Sequence, residues 1–318
     1  MKRNKGMITV GIETSCDETA VAVVKGGEVL SSEVSSSVHL HSVYGGVVPE
    51  IASRFHTEYI YPVFKKALKD ACCAVKDIDL IAVTQGPGLL GSLLVGIAFA
   101  KAVSFSADVP LIGVNHLDAH ILSCFIDKGA MKDPAGIFPF TGMVISGGHT
   151  SIYYCKSIKD FSVIGRTRDD AVGEAFDKVS RIMDLGYPGG PVVEKRAALY
   201  GKGDIIDFPR ALLKEENDLD FSFSGIKTAV MYYWKDSEKT EDEKNKICRS
   251  FQEAVIDVIA EKVFRALKIT GTDRFAAGGG VVNNTGLREK ILESCSRAGV
   301  RCFLPEKRYC ADNAAMVA

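Results

Sequence analysis

The segment MITVGIETSCDETAVAVV (residues 7–24) consists of an apolar run, a short polar turn and a second apolar run. This pattern predicts a β-hairpin whose turn has the size of a phosphate-binding loop. The segment FTGMVISGGHTSIYYC (residues 140–155) repeats the design. Two such hairpins predict an internal duplication, in which each half is a sheet carrying helices and a cleft lies between the halves. Chance similarity of the two segments remains the alternative.

The rest of the chain alternates apolar strand patterns with helical patterns, which favours α/β layers. With 318 residues, about two domains are expected. We place the N-terminal lobe at residues 1–115, with residues 306–318 as a helix packing back on it, and the C-terminal lobe at residues 116–305. The sequence predicts helices at 50–71, 89–106, 170–185 and 243–267, and strands at 80–84, 111–114 and 274–277.

The composition excludes several classes of protein. With 47% hydrophobic and 25% charged residues, the chain matches neither a disordered protein, nor a collagen-like repeat, nor a disulfide-stapled miniprotein. Nine scattered cysteines without a CxxC unit indicate free thiols in a reducing cytoplasm. No secretory signal is visible at the basic start. The most apolar stretch, residues 89–105, contains glycines and a lysine, so a buried helix is expected rather than a membrane span.

His116 and His120 form the sharpest candidate for a metal site. On a helix, imidazoles at i and i+4 face the same way, and this spacing suits one metal ion. The HExxH protease device needs a glutamate after the first histidine, and Leu117 stands there. Asp312 is a candidate third ligand, although its position at a possible helix start fits an N-cap equally well. Incidental spacing of the two histidines is the alternative.

Three glycine turns follow apolar segments, at residues 146–149, 189–190 and 278–280. Glycine lets backbone N–H groups approach an anion closely, and a helix that follows adds its N-terminal partial charge. Each turn alone is often only a tight turn. If the three converge, they predict a nucleotide site, in which Asn284 caps a helix, hydrogen-bonds a ribose, or does both.

Several acidic residues and one cation also invite a functional interpretation. Asp170, Glu174 and Asp177 share a face of a predicted helix, and we favour a solvated surface over a ligand contact. Glu13, in the first hairpin turn, could hold a metal-bound phosphate or a water. Residues 222–227 offer a hydroxyl, a glycine and Lys227 to a phosphate, or simply form a loop that enters a helix.

Ten motifs then identify a family. The chain resembles the bacterial TsaD family of tRNA threonylcarbamoyltransferases, once described as O-sialoglycoprotein endopeptidases. In order, the motifs are GIETSCDET (11–19), YGGVVPEIASRFH (44–56), QGPGLLGSLLVG (85–96), HLDAH (116–120), VISGGHT (144–150), DDAVGEAFDK (169–178), YPGGP (187–191), DFSFSGIKT (220–228), GGVVNN (279–284) and DNAAM (312–316).

The resemblance implies an actin/sugar-kinase/Hsp70-like (ASKHA) fold of two lobes with a central cleft. It implies transfer of threonylcarbamoyl from threonylcarbamoyl-AMP to N6 of adenosine 37 in tRNAs that read codons beginning with A. It further implies the partners of the bacterial family: TsaB, a smaller paralogue; TsaE, an ATPase; and a separate synthase that supplies the adenylate. Whether ATP or ADP also binds the chain stays open.

The resemblance also assigns residues. Its metal ligands fall on His116, His120 and Asp312 and usually hold iron or zinc. Its substrate contacts fall on Val144, Ile145, Ser146, Gly147, Gly148, Asp177, Gly190, Glu194 and Asn284. The family often has Asp at the position of Glu194, which departs from the pattern. We expect Glu13 and the Ser146 loop to serve catalysis, the loop through backbone donors to the phosphate, and no cysteine to act as nucleophile.

For tRNA, a basic patch that includes Arg54, Arg166, Arg168 and Lys227 is expected to give modest, salt-dependent affinity. Three rival functions are weaker. A kinase of the same fold has no task for the histidine pair, and a metalloprotease lacks the HExxH glutamate. A non-catalytic nucleotide-binding partner of the TsaB kind has no need of a complete ligand set.

Overall fold

The computed structural model describes residues 6–126, 136–201 and 203–318. The chain divides into two compact units, residues 1–134 together with 305–318 (unit 1) and residues 135–304 (unit 2). Within the described residues, each unit contains a five-stranded sheet. Among the residues that the structure describes, no disulfide joins any of the nine cysteines.

The sheet of unit 1 has the order β3-β2-β1-β4-β5. The predicted hairpin of residues 7–24 forms β1 and β2, which pair antiparallel up to Glu13 opposite Ala20. The third strand continues the meander, while the fourth and fifth run parallel to the first. The strands are β1 Ile8–Glu13, β2 Glu18–Lys25, β3 Glu28–Ser36, β4 Leu80–Gly86 and β5 Leu111–Asn115.

Helices cover one face of this sheet. Val10 and Ile12 of β1 pack in one buried cluster with Phe64 and Ala100, which lie on the two longest helices of the unit. Pro49 begins the first of these two, at a position where its missing N–H has no helical partner to lose. The helices of unit 1 are α1 Val38–His41, α2 Pro49–Asp70, α3 Leu90–Ala107 and α4 His116–Leu122, with 3₁₀ turns at Ser42–Tyr44, Val75–Asp77 and Ser123–Phe125.

The predicted buried helix is α3, but much of its surface is not buried. It is the only helix in the described ranges that is long and apolar enough to cross a membrane, and 22% of it is buried. Leu94 is 57% exposed and Phe105 is 92% exposed. The prediction of a buried helix is therefore wrong in burial, because α3 packs on the sheet through a narrow strip that includes Gly96 and Ala100.

The opposite face of the unit 1 sheet receives the end of the chain. Ala314 and Ala315 pack against Ala20 and Ala22 of β2. A Cβ added at Gly11 would lie 2.2 Å from the carbonyl oxygen of Ala314, so only glycine admits this approach. In place of the predicted C-terminal helix, the structure has a 3₁₀ turn at Lys307–Tyr309 and a single turn closed by the Ala318 N–H on the Ala314 carbonyl.

Unit 2 repeats the strand order. Its sheet is β10-β9-β6-β7-β8, in which the hairpin of residues 140–155 and the strand after it form the antiparallel meander. The other two strands run parallel to the first, as in unit 1. The strands are β6 Phe140–Ile145, β7 Thr150–Ser157, β8 Asp160–Arg166, β9 Arg274–Gly278 and β10 Arg301–Phe303. The predicted α/β class and the duplication are confirmed.

The helices of unit 2 build its core around one long element, Glu241–Thr270, which buries Phe251 against Phe176 of a neighbouring helix. Thr240 caps its start and Gly271 ends it in the left-handed conformation. The helices are α5 Val172–Ile182, α6 Gly189–Leu199, α7 Ser224–Asp236, α8 Glu241–Thr270 and α9 Thr285–Arg297, with a 3₁₀ turn at Gly280–Asn283.

The boundary between the units differs from the expected one at residues 115 and 116. Asn115 is both the last residue of β5 and the N-cap of α4. Its side-chain oxygen accepts hydrogen bonds from the backbone N–H groups of Leu117 and Asp118. Ala119 of α4 then packs with Ala82 of β4. The helix therefore belongs to unit 1, which continues to residue 134.

Candidate metal centre and glycine-loop site

Helix α4 presents the two histidines. His116 begins the helix and His120 lies one turn later, so both rings point the same way. Their ring centroids are 4.5 Å apart at an interplanar angle of 78°. His120 is fully buried and His116 nearly so. Two buried imidazoles in this arrangement need polar partners, and the end of the chain supplies one.

Asp312 reaches the pair from the C-terminal segment that covers the sheet. Its Oδ1 lies 3.0 Å from Nε2 of His120 and 3.7 Å from Nε2 of His116. One ligand atom from each of the three residues lies within 4.8 Å of the others, and the described residues contain no second such group. Two imidazoles and one carboxylate are a donor set that suits zinc or non-haem iron. The residues therefore fit a divalent metal.

A second layer of contacts holds His116. Its Nδ1 lies 2.9 Å from Oε2 of Glu13 and 3.3 Å from Oγ of Ser15. Glu13 is fully buried and also accepts hydrogen bonds from the Thr84 hydroxyl at 2.6 Å and from the Ser15 backbone N–H at 2.5 Å. The predicted contact of Glu13 with a phosphate or a water stays a prediction. Thr84 and Ser15 were missed by the sequence analysis.

Burial and charge oppose each other at this contact. Burial raises the pKa of Glu13, but the charge and hydrogen bond of His116 outweigh it and hold that pKa below its ordinary value. Burial has the opposite effect on a base and lowers the pKa of His116, whereas the charges of Asp312 and Glu13 raise it to about 9. In the metal-free protein the pair is therefore an ion pair.

A third buried histidine, His56 of α2, belongs to the same unit but faces a different set of partners. Its Nδ1 lies 2.8 Å from the Thr19 hydroxyl and its Nε2 lies 2.9 Å from the Cys16 carbonyl. Burial lowers the pKa of His56, so it stays neutral. Both ring nitrogens are occupied by protein groups, and His56 serves to tie α2 to the first hairpin turn.

In unit 2, the turn of the second hairpin forms a short glycine loop. The Ser146 N–H donates to the His149 carbonyl at 2.8 Å, and the Ser146 hydroxyl accepts from the His149 N–H at 3.2 Å. Gly147 and Gly148 are exposed, and a Cβ at either would meet nothing within 4 Å. Packing therefore does not require glycine at these two positions, and the space beside their Cα atoms is open to a ligand.

Helix α5 fixes this loop from behind. The backbone N–H of Gly173 donates to the Ser146 carbonyl and that of Glu174 to the Gly147 carbonyl, each at 3.2 Å. The Gly278–Gly280 turn approaches from the other side, because a Cβ at Gly279 would lie only 2.4 Å from the Ile145 carbonyl oxygen. Two of the three predicted glycine turns are thus in contact.

The third glycine turn joins through Asp177. Its Oδ1 accepts a hydrogen bond from the Gly189 N–H at 2.7 Å, at the start of α6. Gly190 next to it has open space where a Cβ would be. Asp177 therefore links α5 to the N-terminus of α6, and the three turns lie in one connected region of unit 2.

Glu194 and Asn284 complete this region. Glu194 on α6 accepts a hydrogen bond from the Thr285 N–H at 2.8 Å. The side-chain oxygen of Asn284 accepts from the Leu287 N–H at 2.9 Å and so caps α9, while its amide donates to Gln252 at 2.7 Å. Of the two interpretations of Asn284, the helix cap is observed. Its contact with a ribose stays a prediction, as does the ligand contact of Glu194.

One expectation about charged groups in unit 2 is wrong. Asp170 does not lie on a solvated helix face; it precedes α5, is buried, and pairs with Lys178 at 2.6 Å and with Lys227 at 3.0 Å. Lys227 is therefore engaged by a carboxylate, and of the two interpretations of residues 222–227 the loop that enters a helix is observed, because α7 begins at Ser224. Its neighbour Asp169 binds the backbone N–H groups of Phe223 and Ser224 and so fixes the start of α7.

The structure thus sorts the predicted residues into two sets. Unit 1 contains Glu13, His116, His120 and Asp312 in mutual contact. Unit 2 contains a second set along one connected network, comprising Val144, Ile145, Ser146, Gly147, Gly148, Asp177, Gly190, Glu194 and Asn284. The members of each set therefore all lie in one unit.

Related proteins agree with the sequence resemblance. Residues 28–318 match the family described as TsaD, tRNA N6-adenosine threonylcarbamoyltransferase. A protein named tRNA N6-adenosine threonylcarbamoyltransferase from Clostridium beijerinckii is 48% identical over 313 residues, which cover 98% of this chain and 90% of that one. Identity of this degree over nearly both whole chains shows the family.

Solved structures agree on the fold. HypF from T. kodakarensis superposes on 100% of this chain and 47% of its own, with a TM-score of 0.62 and 13% identity. Component A of the (R)-2-hydroxyglutaryl-CoA dehydratase of Acidaminococcus fermentans covers 98% of this chain and 96% of its own, with a TM-score of 0.53 and 15% identity. At such identities these proteins show the ASKHA fold alone.

Proposed function

This chain belongs to the TsaD family of tRNA N6-adenosine threonylcarbamoyltransferases, and from that premise we propose that it transfers threonylcarbamoyl from threonylcarbamoyl-AMP to N6 of adenosine 37 in tRNAs that read codons beginning with A. The observation that carries the proposal is the buried cluster of His116, His120 and Asp312. A non-catalytic nucleotide-binding relative of the same fold has no use for such a ligand set. Because tRNA is the acceptor in this reaction, we propose a cytoplasmic location for the protein.

We infer that this cluster holds one divalent ion, iron or zinc, through its two imidazoles and one carboxylate. A bound ion of this kind supplies Lewis acidity that polarises a carbonyl oxygen. The chain keeps the ligands together before any ion arrives: α4 fixes both rings, and packing of Ala314 and Ala315 on β2 brings Asp312 to them. This arrangement limits the reorganisation that binding requires.

Unit 2 is proposed to bind the adenylate of the donor. Gly147, Gly148 and Gly190 leave open space beside their backbone, so a phosphate and a ribose have room to approach peptide N–H groups closely. The Ser146 hydroxyl is part of the turn, and we propose that Ser146 shapes the loop rather than attacking the donor. Asp177 and Asn284 hold the helix starts on either side.

No protein nucleophile is needed, because the adenylate is already an activated acyl donor. In the transfer, the bond from N6 of adenosine to the carbamoyl carbon forms, the bond from that carbon to the phosphate oxygen breaks, N6 loses a proton and AMP departs. Positioning and charge stabilisation suffice for this step. Cys16 lies near the cluster, but burial and the charges of Asp17 and Asp312 raise the pKa of its thiol, so it stays protonated.

The expected basic patch for tRNA is largely neutralised within the protein. Arg54 pairs with Glu50, Arg168 pairs with Asp218 and Asp220, and Lys227 pairs with Asp170. These pairs reduce the positive charge that is available to phosphates. We therefore propose that this chain alone binds tRNA weakly and that a partner protein completes the binding surface.

The exposed side of α3 offers a surface for such a partner. Leu90, Leu94 and Phe105 are exposed on this apolar helix, and exposed apolar side chains grouped on one element can mark a protein interface. We propose that the TsaB-type paralogue implied by the family covers this surface of unit 1. TsaE and the adenylate synthase are proposed as the other components of the reaction.

The proposed function is tested by transfer of labelled threonine to unmodified tRNA, with the chain, TsaB, TsaE and the synthase present. The variants are H116A, which removes a ligand, and H39A, which removes an exposed imidazole of α1 in the same unit. We expect label at adenosine 37 with wild type and H39A, and at least about 100-fold less with H116A. Metal content of each purified variant is measured in parallel.

The possible results separate the hypotheses. A fully active H116A protein without metal would remove the metal from the reaction. Absence of label with folded, metal-loaded and partner-bound wild type would instead favour a nucleotide-binding scaffold.

A further inference from the structure

We propose that Glu13 is a positioning residue for the metal centre: with Thr84 and Ser15 it fixes the ring of His116 so that Nε2 faces Asp312 and His120, and thereby sets the affinity for the ion. The inference rests on the proposed function, since it takes the three-residue cluster to be the metal site. It replaces the expected catalytic role of Glu13 by a role exerted through His116.

The contacts of Glu13 favour a role through His116 over a direct role at the reacting atoms. Its side chain is fully buried. Oε1 accepts a hydrogen bond from the Ser15 N–H, and Oε2 accepts one from the Thr84 hydroxyl and one from Nδ1 of His116. Three donors converge on one carboxylate, as expected for a group that stays ionised inside a protein. A substrate has no access to it.

The same contacts determine which nitrogen of His116 faces the metal. A carboxylate only accepts hydrogen bonds, so the proton of the contact must sit on Nδ1. The proton on Nε2 is the one that leaves when an ion binds, and the lone pair that it frees is on the atom 3.7 Å from Asp312 Oδ1. Hydrogen bonds of this kind orient metal-bound histidines and raise their basicity.

The other histidine of the cluster lacks such support. Nδ1 of His120 is buried and has no hydrogen-bond partner among the described residues, although its Nε2 lies 3.0 Å from Asp312 Oδ1. Its orientation therefore depends on packing within α4, since the residue is fully buried. Of the two histidines, only His116 has its ring oriented by a hydrogen bond at Nδ1. Substitutions of Glu13 and Thr84 should therefore weaken the binding of the metal ion.

The sheet itself delivers this arrangement. Ile12 of β1 pairs with Val83 of β4, so the next residues along stand side by side: Glu13, the last residue of β1, and Thr84, two residues before the end of β4. β5 lies beside β4 and leads directly through Asn115 into His116. Three neighbouring strands thus place the carboxylate, the hydroxyl and the imidazole at one edge, and no loop has to be ordered to bring them together.

The test measures metal affinity and not only activity. Full-length metal-free chain is titrated with Co²⁺ against a chelator, and the absorption spectrum of the bound ion is recorded. The variants are E13Q, which removes the charge; T84V, which removes one hydrogen bond and keeps the shape; and H116A. T19V is the matched control, because the Thr19 hydroxyl contacts a buried histidine of the same unit, His56, that lies outside the cluster.

We expect E13Q to weaken Co²⁺ binding by about 10- to 100-fold and to change the spectrum, and T84V to weaken it by about 3- to 10-fold. T19V should bind as wild type does. The unfolding midpoint of each metal-free variant is measured in parallel. If E13Q fails to fold, the Co²⁺ affinity of T84V tests the positioning role instead. A purely structural role of Glu13 would change the midpoint and leave the affinity of the folded fraction and its spectrum unaltered.

The results that oppose the proposal are distinct from those that oppose the metal site. Wild-type affinity in both E13Q and T84V, with loss of binding in H116A, would overturn the positioning role and keep the metal site. Wild-type affinity in H116A would overturn the metal site itself. Equal weakening in T19V and T84V would reduce the effect to general packing and also overturn the positioning role.

Discussion

The hairpin turns of the two units occupy equivalent positions in their sheets but differ in residue type and in burial. Each joins the central strand of a five-stranded sheet to its antiparallel neighbour, and the two sheets have the same strand order. The turn of unit 1, residues 14–17, is mostly buried and polar, with Glu13 directly before it. The turn of unit 2 is two exposed glycines between Ser146 and His149. One topology therefore supports a preassembled cluster of candidate metal ligands in one copy and an open glycine loop in the other.

The strand register makes the comparison sharper. Ile12 pairs with Val83 in unit 1, and Val144 pairs with Gly278 in unit 2. One residue further along, unit 1 has the Glu13–Thr84 hydrogen bond, whereas unit 2 has Ile145 with Gly279. The same juxtaposition is a contact between polar side chains in one unit and a close backbone approach in the other.

The largest effect is expected where glycine permits that backbone approach. In G279A, the new Cβ would lie 2.4 Å from the Ile145 carbonyl oxygen, at a residue with φ of 102°. Steric clash and backbone strain together should lower the free energy of unfolding of unit 2 by about 3 kcal/mol. The fluorescence of Trp234 on α7, the one tryptophan of the chain, reports urea unfolding of this unit.

G280A is the matched control for this prediction. A Cβ there would meet nothing within 4 Å, so the change should stay below about 1 kcal/mol. Equal destabilisation by the two variants would show that the approach of Gly279 to β6 does not explain the need for glycine.

A middle-sized effect is expected at the open glycines, and on binding rather than folding. G147A fills space that packing leaves free, so unfolding of unit 2 should be unchanged while affinity for ADP falls about tenfold, or about 1.4 kcal/mol. Isothermal titration with ADP measures this. G201A adds a methyl group at another open glycine, outside the network, and should bind ADP as wild type does. Equal affinity of G147A and wild type would remove the loop from the nucleotide site.

The smallest effect concerns Asp170, the buried carboxylate behind the unit 2 loop. Burial raises its pKa, but the hydrogen bonds of Lys178 and Lys227 outweigh burial and hold the pKa below its ordinary value. Its contribution to stability is therefore full above the unfolded-state pKa of about 4 and is lost as pH falls through the lower folded-state pKa. D170N should destabilise unit 2 by about 1 kcal/mol at pH 7, because both lysines are partly exposed.

Urea unfolding followed by Trp234 at pH 7, 4 and 3 checks the sign of this dependence. The difference between wild type and D170N should shrink as the pH falls below about 4. K235M on the same helix α7 is the control, since it removes a lysine that is not part of the Asp170 pairs and should give a small difference that does not vary with pH in this range. A D170N difference that grows towards acid would contradict the assignment.

The sequence predicted the elements with strong periodic signals. The helix expected at residues 50–71 is α2, Pro49–Asp70, and the strand expected at 274–277 is β9, Arg274–Gly278. It missed β3 and β8, the outer strands of the two meanders, because their exposed residues interrupt the apolar pattern. Edge strands bury only part of one face and so leave a weaker signal.

The candidate site shows the same division. Spacing within four residues was enough to predict that His116 and His120 face one way, because helix geometry is local. The contact of Thr84 with Glu13 depends on the pairing of β1 with β4, which lie 71 residues apart for this pair. The salt bridge from Asp170 to Lys227 spans 57 residues and likewise has no local signal. Residues that act through tertiary pairing were therefore missed or misjudged.

The order of the candidate metal ligands along the chain has a consequence for biosynthesis. His120 and Asp312 are 192 residues apart, and all of unit 2 lies between them in the sequence. During translation, the strands of the unit 1 sheet are made first, but Asp312 is added only after unit 2 has been made. At roughly 5–20 residues per second, that delay is on the order of 10–40 s. A nascent chain therefore cannot assemble the complete cluster until unit 2 has been synthesised.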